Sequence, residues 1–301
     1  MRPEDLRGII RERLARWGGG LGPTLRQAWE ALWHRLRLDQ DYFGHPLALP
    51  VLELPLWQFQ GDPRVRARGE DAMLDAAESA AAGYLHVRIQ DDLLDEGTAA
   101  GDAGQLMLAE ALGARHQRLC MQLAGGAAAF ASLFEARWTA YAEAMALDSA
   151  LGASDGVIDR ATEAVLLQRT APLVLPAAAL AAPVAPETLG PLDTIVTRLA
   201  AAHQLVTDAI DVEKDLRNGN QSLVLARMGA EHGADHVRRA LYVEGGLDRI
   251  HAEARAELEA ARDRAPLAGV PGLAQWVDQR IAVMERVRAE AFRALFAQLV
   301  T

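Results

Sequence analysis

Apolar residues in this chain recur with helical spacing almost throughout, and the alternating patterns typical of strands are nearly absent. Helical spacing is clear over residues 71–95, 114–147, 192–217 and 273–299, with Gly125 and Gly126 expected as close-packing positions inside the second range. Because each amphipathic helix needs other helices to cover its apolar face, the pattern predicts an all-α protein built as one large helical bundle. Residues 1–20 are expected to form a peripheral arm, and residues 21–301 the helical domain.

Composition limits the classes of partner and the cellular setting. The formal net charge of −10 argues against a nucleic-acid partner, because no basic surface is available to neutralise phosphates. Cys120 is the only cysteine, so no disulfide is expected and the reducing cytoplasm is the predicted location. The charged N-terminus lacks the apolar stretch of a signal peptide, and four prolines interrupt the apolar range 171–186, which argues against a membrane span.

Three aspartates, Asp91, Asp92 and Asp95, end the apolar helical range 71–95. Asp91 and Asp95 are one helical turn apart and share a face, where like charges repel and a purely structural helix gains nothing. Oxygen-rich clusters of this kind suit Mg²⁺, which commonly bridges protein carboxylates and substrate phosphates. Aspartates also gather at solvated helix ends, so the cluster by itself leaves both interpretations open.

A second polar stripe lies in the helical range 192–217. Its members fall on one side of the helix and are Gln204, Thr207, Asp208, Asp211 and Asp215. Lys214, the only lysine of the chain, lies beside the stripe and can hold a phosphate oxygen as a point charge. A solvent-facing acidic helix explains this stripe alone equally well. Two such stripes that face each other in a bundle, however, can hold metal ions across a shared cavity.

In order and spacing these motifs resemble those of the class I isoprenoid synthases, specifically the trans-prenyltransferase (polyprenyl synthetase) branch. The run Asp91-Asp92-Leu-Leu-Asp95 matches the first DDxxD motif of that family. The run from Gln204 to Asp211 resembles the second motif, with Thr207 in place of its first aspartate, and Arg169-Thr170 resembles a Lys-Thr pair that contacts diphosphate. The resemblance spans about residues 44–220 and implies an α-helical cup around a deep apolar cavity.

The resemblance also implies roles for individual residues. Several Mg²⁺ ions would bind an allylic prenyl diphosphate and assist its ionisation to a carbocation. The implied metal ligands are Asp91, Asp92, Asp95, Thr207, Asp208, Asp211 and Asp215, and the implied catalytic carboxylates are Asp91, Asp92, Asp95, Asp208 and Asp211. Candidate diphosphate contacts are Arg160, Arg169, Thr170, Gln204, Lys214 and Arg217. Candidate cavity residues, which ordinary core packing explains as well, are His86, Val87, Phe134, Trp138 and Tyr141. A homodimer is expected from the resemblance alone.

Three contacts for a second substrate are missing. Elongating members bind isopentenyl diphosphate through a Gly-Lys-Arg segment, whose nearest counterpart here, Phe43–Ala48, has neither lysine nor arginine. Tyr84 stands where those members usually carry a histidine, and residues 96–104 contain no arginine where an Arg-Arg-Gly is usual. Each charge-assisted phosphate contact contributes about 1.5–3 kcal/mol, so these losses should weaken a second diphosphate site.

These departures favour a terpene synthase, which ionises one prenyl diphosphate and releases a hydrocarbon or an alcohol. The run from Thr207 to Asp215 also loosely resembles the second metal motif of terpene synthases. The alternative is a prenyltransferase that condenses an allylic diphosphate with isopentenyl diphosphate or another acceptor, with Arg64, Arg66 and Arg68 as substitute contacts. A third hypothesis is a non-enzymatic partner of a true synthase.

Overall fold

The computed structural model describes residues 1–95, 103–152 and 158–300, and within them the chain forms fourteen α-helices and no strand. In chain order the helices are α1 (Pro3–Gly19), α2 (Pro23–Arg35), α3 (Glu53–Gly61), α4 (Pro63–Arg66), α5 (Glu70–Asp95), α6 (Ala103–Ala124), α7 (Ala128–Gly152), α8 (Arg160–Leu166), α9 (Leu175–Ala181), α10 (Leu189–Asn218), α11 (Leu223–Arg227), α12 (Ala234–Arg238), α13 (Gly246–Arg264) and α14 (Gly272–Val300). The predicted all-α class is confirmed.

Helices α5 and α6 approach each other closely through a reciprocal pair of glycines. A Cβ on Gly83 of α5 would lie 2.6 Å from Nδ1 of His116, and a Cβ on Gly113 of α6 would lie 2.9 Å from Nδ1 of His86. Each glycine therefore makes room for an imidazole ring of the other helix. Each ring Nδ1 also bonds to a backbone carbonyl of the opposite helix, at 2.8 Å for His86 and 2.9 Å for His116.

The range predicted as one helix over 114–147 is two helices. Gly125 and Gly126 have φ angles of 56° and 83°, in the left-handed region that favours glycine, so the chain turns there. No atom lies within 4 Å of a Cβ built on either residue. The expectation of close-packing glycines inside a continuous helix is therefore wrong, because these glycines form the turn between α6 and α7.

The chain reverses at the C-terminal end of α10. Gly219 has a φ of 72°, and its N–H donates to the carbonyl of Asp215, as does the N–H of Asn220 at 3.0 Å. Helices commonly end on such a left-handed glycine because no side chain obstructs the turn. The next residues bring the N–H of Leu223 back beside α10, within 2.9 Å of the Asp208 carboxylate.

The first helix packs on the rest of the bundle. Leu6, Ile10 and Leu14 of α1 are buried. Arg13 extends from α1 to two carboxylates of α5, Asp75 at 2.7 Å and Glu78 at 3.1 Å. The division of the chain into an arm and a domain at residue 20 stays a prediction.

One described stretch, Arg160–Ala181, is long and apolar enough to cross a membrane by length and composition. In its most apolar window, 61% of the residues are buried inside the structure, as in the core helix of a folded domain. The stretch is also not one regular helix, since a 3₁₀ segment at Leu167–Val174 separates α8 from α9. Its composition is therefore weak evidence for a membrane span.

Candidate functional site

The first aspartate segment lies at the C-terminal end of α5. Asp91 and Asp92 are half-buried, and the side chain of Asp95 lies outside the described residues. Two arginines hold the Asp92 carboxylate: Nη2 of Arg35 at 2.9 Å and Nη2 of Arg88 at 2.8 Å. These arginine side chains are 43% and 44% exposed, so each pair contributes at most about 1 kcal/mol. A metal ion at Asp92 would share the carboxylate with these cations.

Arg169 is electrostatically influenced by both aspartate segments. It lies in the 3₁₀ segment after α8, and its Nη1 donates to Oδ2 of Asp148 on α7 at 2.5 Å. Burial disfavours the charge of Arg169, but the carboxylates of Asp148, Asp91 and Asp208 outweigh burial and raise its pKa. One guanidinium therefore lies within electrostatic reach of both segments, as a site shared between them requires.

Asp208 of the second segment is buried and has a structural role. It is 6% exposed, and its two oxygens accept from the Leu223 N–H at 2.9 Å and from Nε2 of Gln204 at 2.5 Å. Burial raises the pKa of Asp208 to about 6, although Arg169 and the two hydrogen bonds lower it. This aspartate holds the chain reversal after α10 in place.

The remaining members of the second stripe are more accessible. Asp211 and Lys214 are exposed, and Asp215 is half-buried beside Asn220. Burial raises the pKa of Asp215. The hydroxyl of Thr207 donates to two carbonyls of the preceding helical turn, at 3.0 and 3.1 Å. The more accessible carboxylates of this stripe are therefore Asp211, which is exposed, and Asp215, which is half-buried.

Thr170 has a buried hydroxyl that finds no hydrogen-bond partner among the described residues. An unpaired buried hydroxyl is unfavourable, because the group has left water without a replacement partner. It follows Arg169 in the same 3₁₀ segment. The pair therefore offers a cation and an unsatisfied hydroxyl, which fits an anionic oxygen ligand such as a diphosphate.

Two of the other candidate diphosphate contacts, Arg160 and Arg217, are exposed. Nε of Arg217 donates to the carbonyl of Glu213 in its own helix at 3.0 Å. Their assignment as diphosphate contacts stays a prediction.

Four of the candidate cavity residues form an aromatic cluster next to the first segment. The ring of Trp138 on α7 lies 5.4 Å from His86, 5.5 Å from Tyr141 and 6.0 Å from Phe134, measured between centroids. The Tyr141 hydroxyl donates to Oε1 of Gln90 at 2.5 Å, which ties the cluster to the residue before the first motif. These contacts are those of a packed core, and the cluster adjoins the aspartates.

Tyr84 of α5 contacts residues at the start of segment 43–48, the segment expected to bind a second substrate. Its ring centroid lies 6.0 Å from Tyr42 and 5.7 Å from Phe43. Val87, one turn later on α5, is half-buried. The residues at 42–43 and the approach to the first motif are therefore neighbours in the fold.

The three arginines predicted as substitute contacts are engaged elsewhere. Arg64 pairs with two carboxylates, at 2.7 and 2.6 Å. Arg66 donates to carbonyls at the end of α3, and Arg68 donates to the terminal carbonyls of α6 and α9. Their role as acceptor contacts is therefore not supported.

Sequence reasoning missed Arg280 of α14, whose Nη1 donates to the carbonyl of Pro46 at 2.7 Å. The only local signal was an arginine four residues after Trp276, at a core-facing position of a long helix.

The residue types of the two segments fit Mg²⁺, which prefers oxygen ligands and retains several waters. Within the described residues, no group of three acidic, histidine or cysteine side chains is close enough to hold a metal ion. Mg²⁺ in such sites is usually completed by substrate phosphates. The residues that would hold Mg²⁺ are thus carboxylates of the two segments, together with oxygens of a bound diphosphate.

No family model matches the sequence, and no curated protein is significantly similar to it. Solved structures match the fold over nearly its whole length. A geranylgeranyl pyrophosphate synthetase from the archaeon Geoglobus acetivorans aligns with a TM-score of 0.69 at 16% identity, covering 93% of this chain and 97% of that chain. The octaprenyl pyrophosphate synthase of Helicobacter pylori aligns with a TM-score of 0.67 at 12% identity, covering 93% and 99%. The chain therefore has the polyprenyl synthetase-like isoprenoid synthase fold.

Proposed function

We propose that this protein is a Mg²⁺-dependent prenyltransferase that ionises an allylic prenyl diphosphate between the two aspartate segments and transfers the prenyl group to an acceptor. The observation that carries the proposal is that Arg169, which donates to Asp148 at 2.5 Å, has its pKa raised by carboxylates that include Asp91 of the first segment and Asp208 of the second. The fold adds support, because both solved structures named above are prenyl diphosphate synthases.

The leaving diphosphate is the group that the site must stabilise. Bound Mg²⁺ would supply Lewis-acid neutralisation of the diphosphate charge. Asp91 and Asp95 of the first segment, with Asp211 and Asp215 of the second, are the residues proposed to hold the metal. These carboxylates would attract the metal ion through their opposite charge, and the metal would in turn attract the diphosphate.

The residues between the segments have complementary roles. The Arg169 guanidinium is proposed to attract diphosphate oxygens, and the Thr170 hydroxyl to donate a hydrogen bond to one of them. The packed rings of Trp138 and Tyr141 are proposed to exclude water and to stabilise the allylic cation through their negative faces.

A terpene synthase is the second candidate, and a specific observation favours it. Segment 43–48 carries neither lysine nor arginine, and Arg64, Arg66 and Arg68 are bonded elsewhere. A diphosphate-bearing acceptor would therefore find no lysine or arginine in the segment itself, although Arg280 of α14 donates to its Pro46 carbonyl. Without an acceptor, the allylic cation is captured by water or by double bonds of the same substrate.

The test is product analysis after incubation with Mg²⁺ and C10, C15 or C20 prenyl diphosphates, with and without isopentenyl diphosphate. Longer diphosphates that form only with isopentenyl diphosphate support the prenyltransferase. A hydrocarbon or an alcohol from a single diphosphate supports the terpene synthase. Absence of diphosphate release from every substrate contradicts the terpene synthase and elongation with isopentenyl diphosphate, and leaves transfer to another acceptor or a non-enzymatic partner. A chelator control establishes whether turnover requires the metal.

A further inference from the structure

A cavity of about 510 Å³ lies between α1, α3, α14 and the loop over residues 43–50. Among the residues that the structure describes, no aspartate of either segment lines it. The aromatic residues that line it are Phe43, Trp57 and Trp276. The glutamines that line it are Gln60, Gln275 and Gln279. The cavity can hold a small organic molecule by volume, and its lining combines apolar surface with hydrogen-bonding groups.

Arg280 is the buried cation of this cavity. Its side chain lines the wall, and the residue is 3% exposed. Nη1 donates to the Pro46 carbonyl at 2.7 Å, Nη2 lies 3.1 Å from Nδ1 of His203, and Cζ lies 5.8 Å from the Trp276 ring centroid. These contacts use two of the five N–H donors of the guanidinium.

Arg280 forms no ion pair with a carboxylate in the described part of the chain. Burial accordingly lowers the pKa of Arg280 to about 10. A buried charge without a counter-ion is strongly unfavourable, whereas a hydrogen-bonded counter-ion offsets the loss of hydration. A negative charge bound beside Arg280 in this cavity would therefore be stabilised.

The other charges of the wall limit which anion fits. Arg7 also lines the cavity, but it pairs with Asp41 at 2.7 Å and with Glu53 at 2.8 Å. Glu4 and Glu53 line the cavity as well. Among the described lining residues, one guanidinium is thus the only cation without a carboxylate. A diphosphate carries two or more negative charges, which would be repelled by Glu4 and Glu53. A single carboxylate carries one negative charge, which balances the one positive charge of Arg280.

We propose that this cavity binds a small organic monocarboxylate, whose carboxylate pairs with Arg280 and whose apolar body lies against Trp57 and Trp276. A guanidinium presents parallel N–H groups that match the two oxygens of a carboxylate, and tryptophan rings favour a flat or apolar ligand body. The inference does not depend on the proposed prenyl transfer, since Arg280, Trp57 and Trp276 have no assigned role in that transfer.

Direct binding to the full chain tests this inference without Mg²⁺ or prenyl diphosphate. The probes are 4-fluorobenzoate, 4-fluorophenylacetate and 4-fluorocinnamate, each beside its neutral amide, followed by ¹⁹F NMR. We expect at least one acid to bind about tenfold or more tightly than its amide, because a charged hydrogen bond adds that much. If no acid binds, or if acids and amides bind equally, the inference is overturned.

Variants locate the bound acid. Arg280→Gln should weaken acid binding about tenfold or more and leave amide binding unchanged. Arg286→Gln, an exposed position of the same helix, should bind like the wild type. Unchanged acid binding by Arg280→Gln overturns the inference, as does displacement of the acid by equimolar inorganic diphosphate. Circular dichroism establishes that both variants fold, and the acid–amide comparison on the wild type stands without them.

The acid that binds is either an acceptor substrate or a separate effector. Adding Mg²⁺ and an allylic diphosphate distinguishes these two roles. A prenylated acid found by mass spectrometry identifies the acceptor. A changed rate without such a product identifies an effector. Because binding is measured first and alone, failure of the proposed enzymatic activity leaves the binding result intact.

Discussion

The two aspartate segments contain similar residues, yet the fold holds them in opposite ways. At the end of α5, Asp92 is held by two half-exposed arginine side chains. On α10, Asp208 is buried and accepts from the backbone N–H of Leu223 and from a glutamine. Exposed ion pairs rearrange at little free-energy cost, whereas a buried carboxylate that holds a backbone turn does not. An aspartate at a motif position can therefore serve the fold, which makes Asp211 the better candidate ligand of α10.

The largest expected effect is that of Asp91→Asn in the first segment. The substitution removes a proposed metal ligand whose charge also raises the pKa of Arg169. The value of kcat/KM for prenyl diphosphate ionisation should therefore fall about 100-fold or more. Diphosphate release measures the effect. Asp71→Asn, at an exposed position in the first turn of the same helix, is the matched control and should retain full activity. Equal rates in the two variants would contradict the assignment of Asp91.

A stability experiment separates the two kinds of aspartate on α10. Asp208→Ala leaves the buried Leu223 N–H without its acceptor, so the free energy of unfolding should fall by about 1–3 kcal/mol. Asp211→Ala is exposed and should change that free energy by less than about 0.5 kcal/mol, while turnover falls. Urea unfolding without Mg²⁺ measures both. Identical stability of the two variants would contradict a structural role for Asp208 that Asp211 lacks.

Between the two segments, Thr170→Val tests the unsatisfied hydroxyl. The substitution should leave stability unchanged or slightly raised, because no protein hydrogen bond is lost, and KM for the allylic diphosphate should rise about tenfold. Thr188→Val is the matched control, since its hydroxyl donates to the Ala185 carbonyl at 2.8 Å. That variant should lose about 1 kcal/mol of stability with KM unchanged. The opposite pattern would exclude Thr170 as a ligand of the diphosphate.

The smallest effect is expected at the arginines of the first segment. Arg35→Gln and Arg88→Gln should each lower the free energy of unfolding by less than about 1 kcal/mol, because both side chains are half-exposed. High salt should remove the difference from the wild type, since ions screen exposed pairs. Urea unfolding at low and high salt checks this. A loss above about 2 kcal/mol in either variant would mean that Asp92 is held as firmly as Asp208.

Much of the fold could be predicted from the sequence because helical spacing is a local property. The ranges 71–95, 192–217 and 273–299 correspond to α5, α10 and α14 within a few residues. The break at Gly125 and Gly126 was missed, because glycine tolerates both a helix and a left-handed turn. The motif positions likewise fixed which helices carry the aspartates, but not which of those aspartates are buried.

By itself the sequence determined that the chain is helical and that two aspartate segments occupy one face each of two long helices. Only the tertiary structure decided what each charged side chain meets. Asp208 became a structural residue because Gly219 turns the chain back onto α10. Arg280 lies against Pro46, 234 positions earlier in the chain. Helical periodicity depends on neighbours within a few residues, whereas burial and charge pairing depend on helices that meet only after the whole chain has folded.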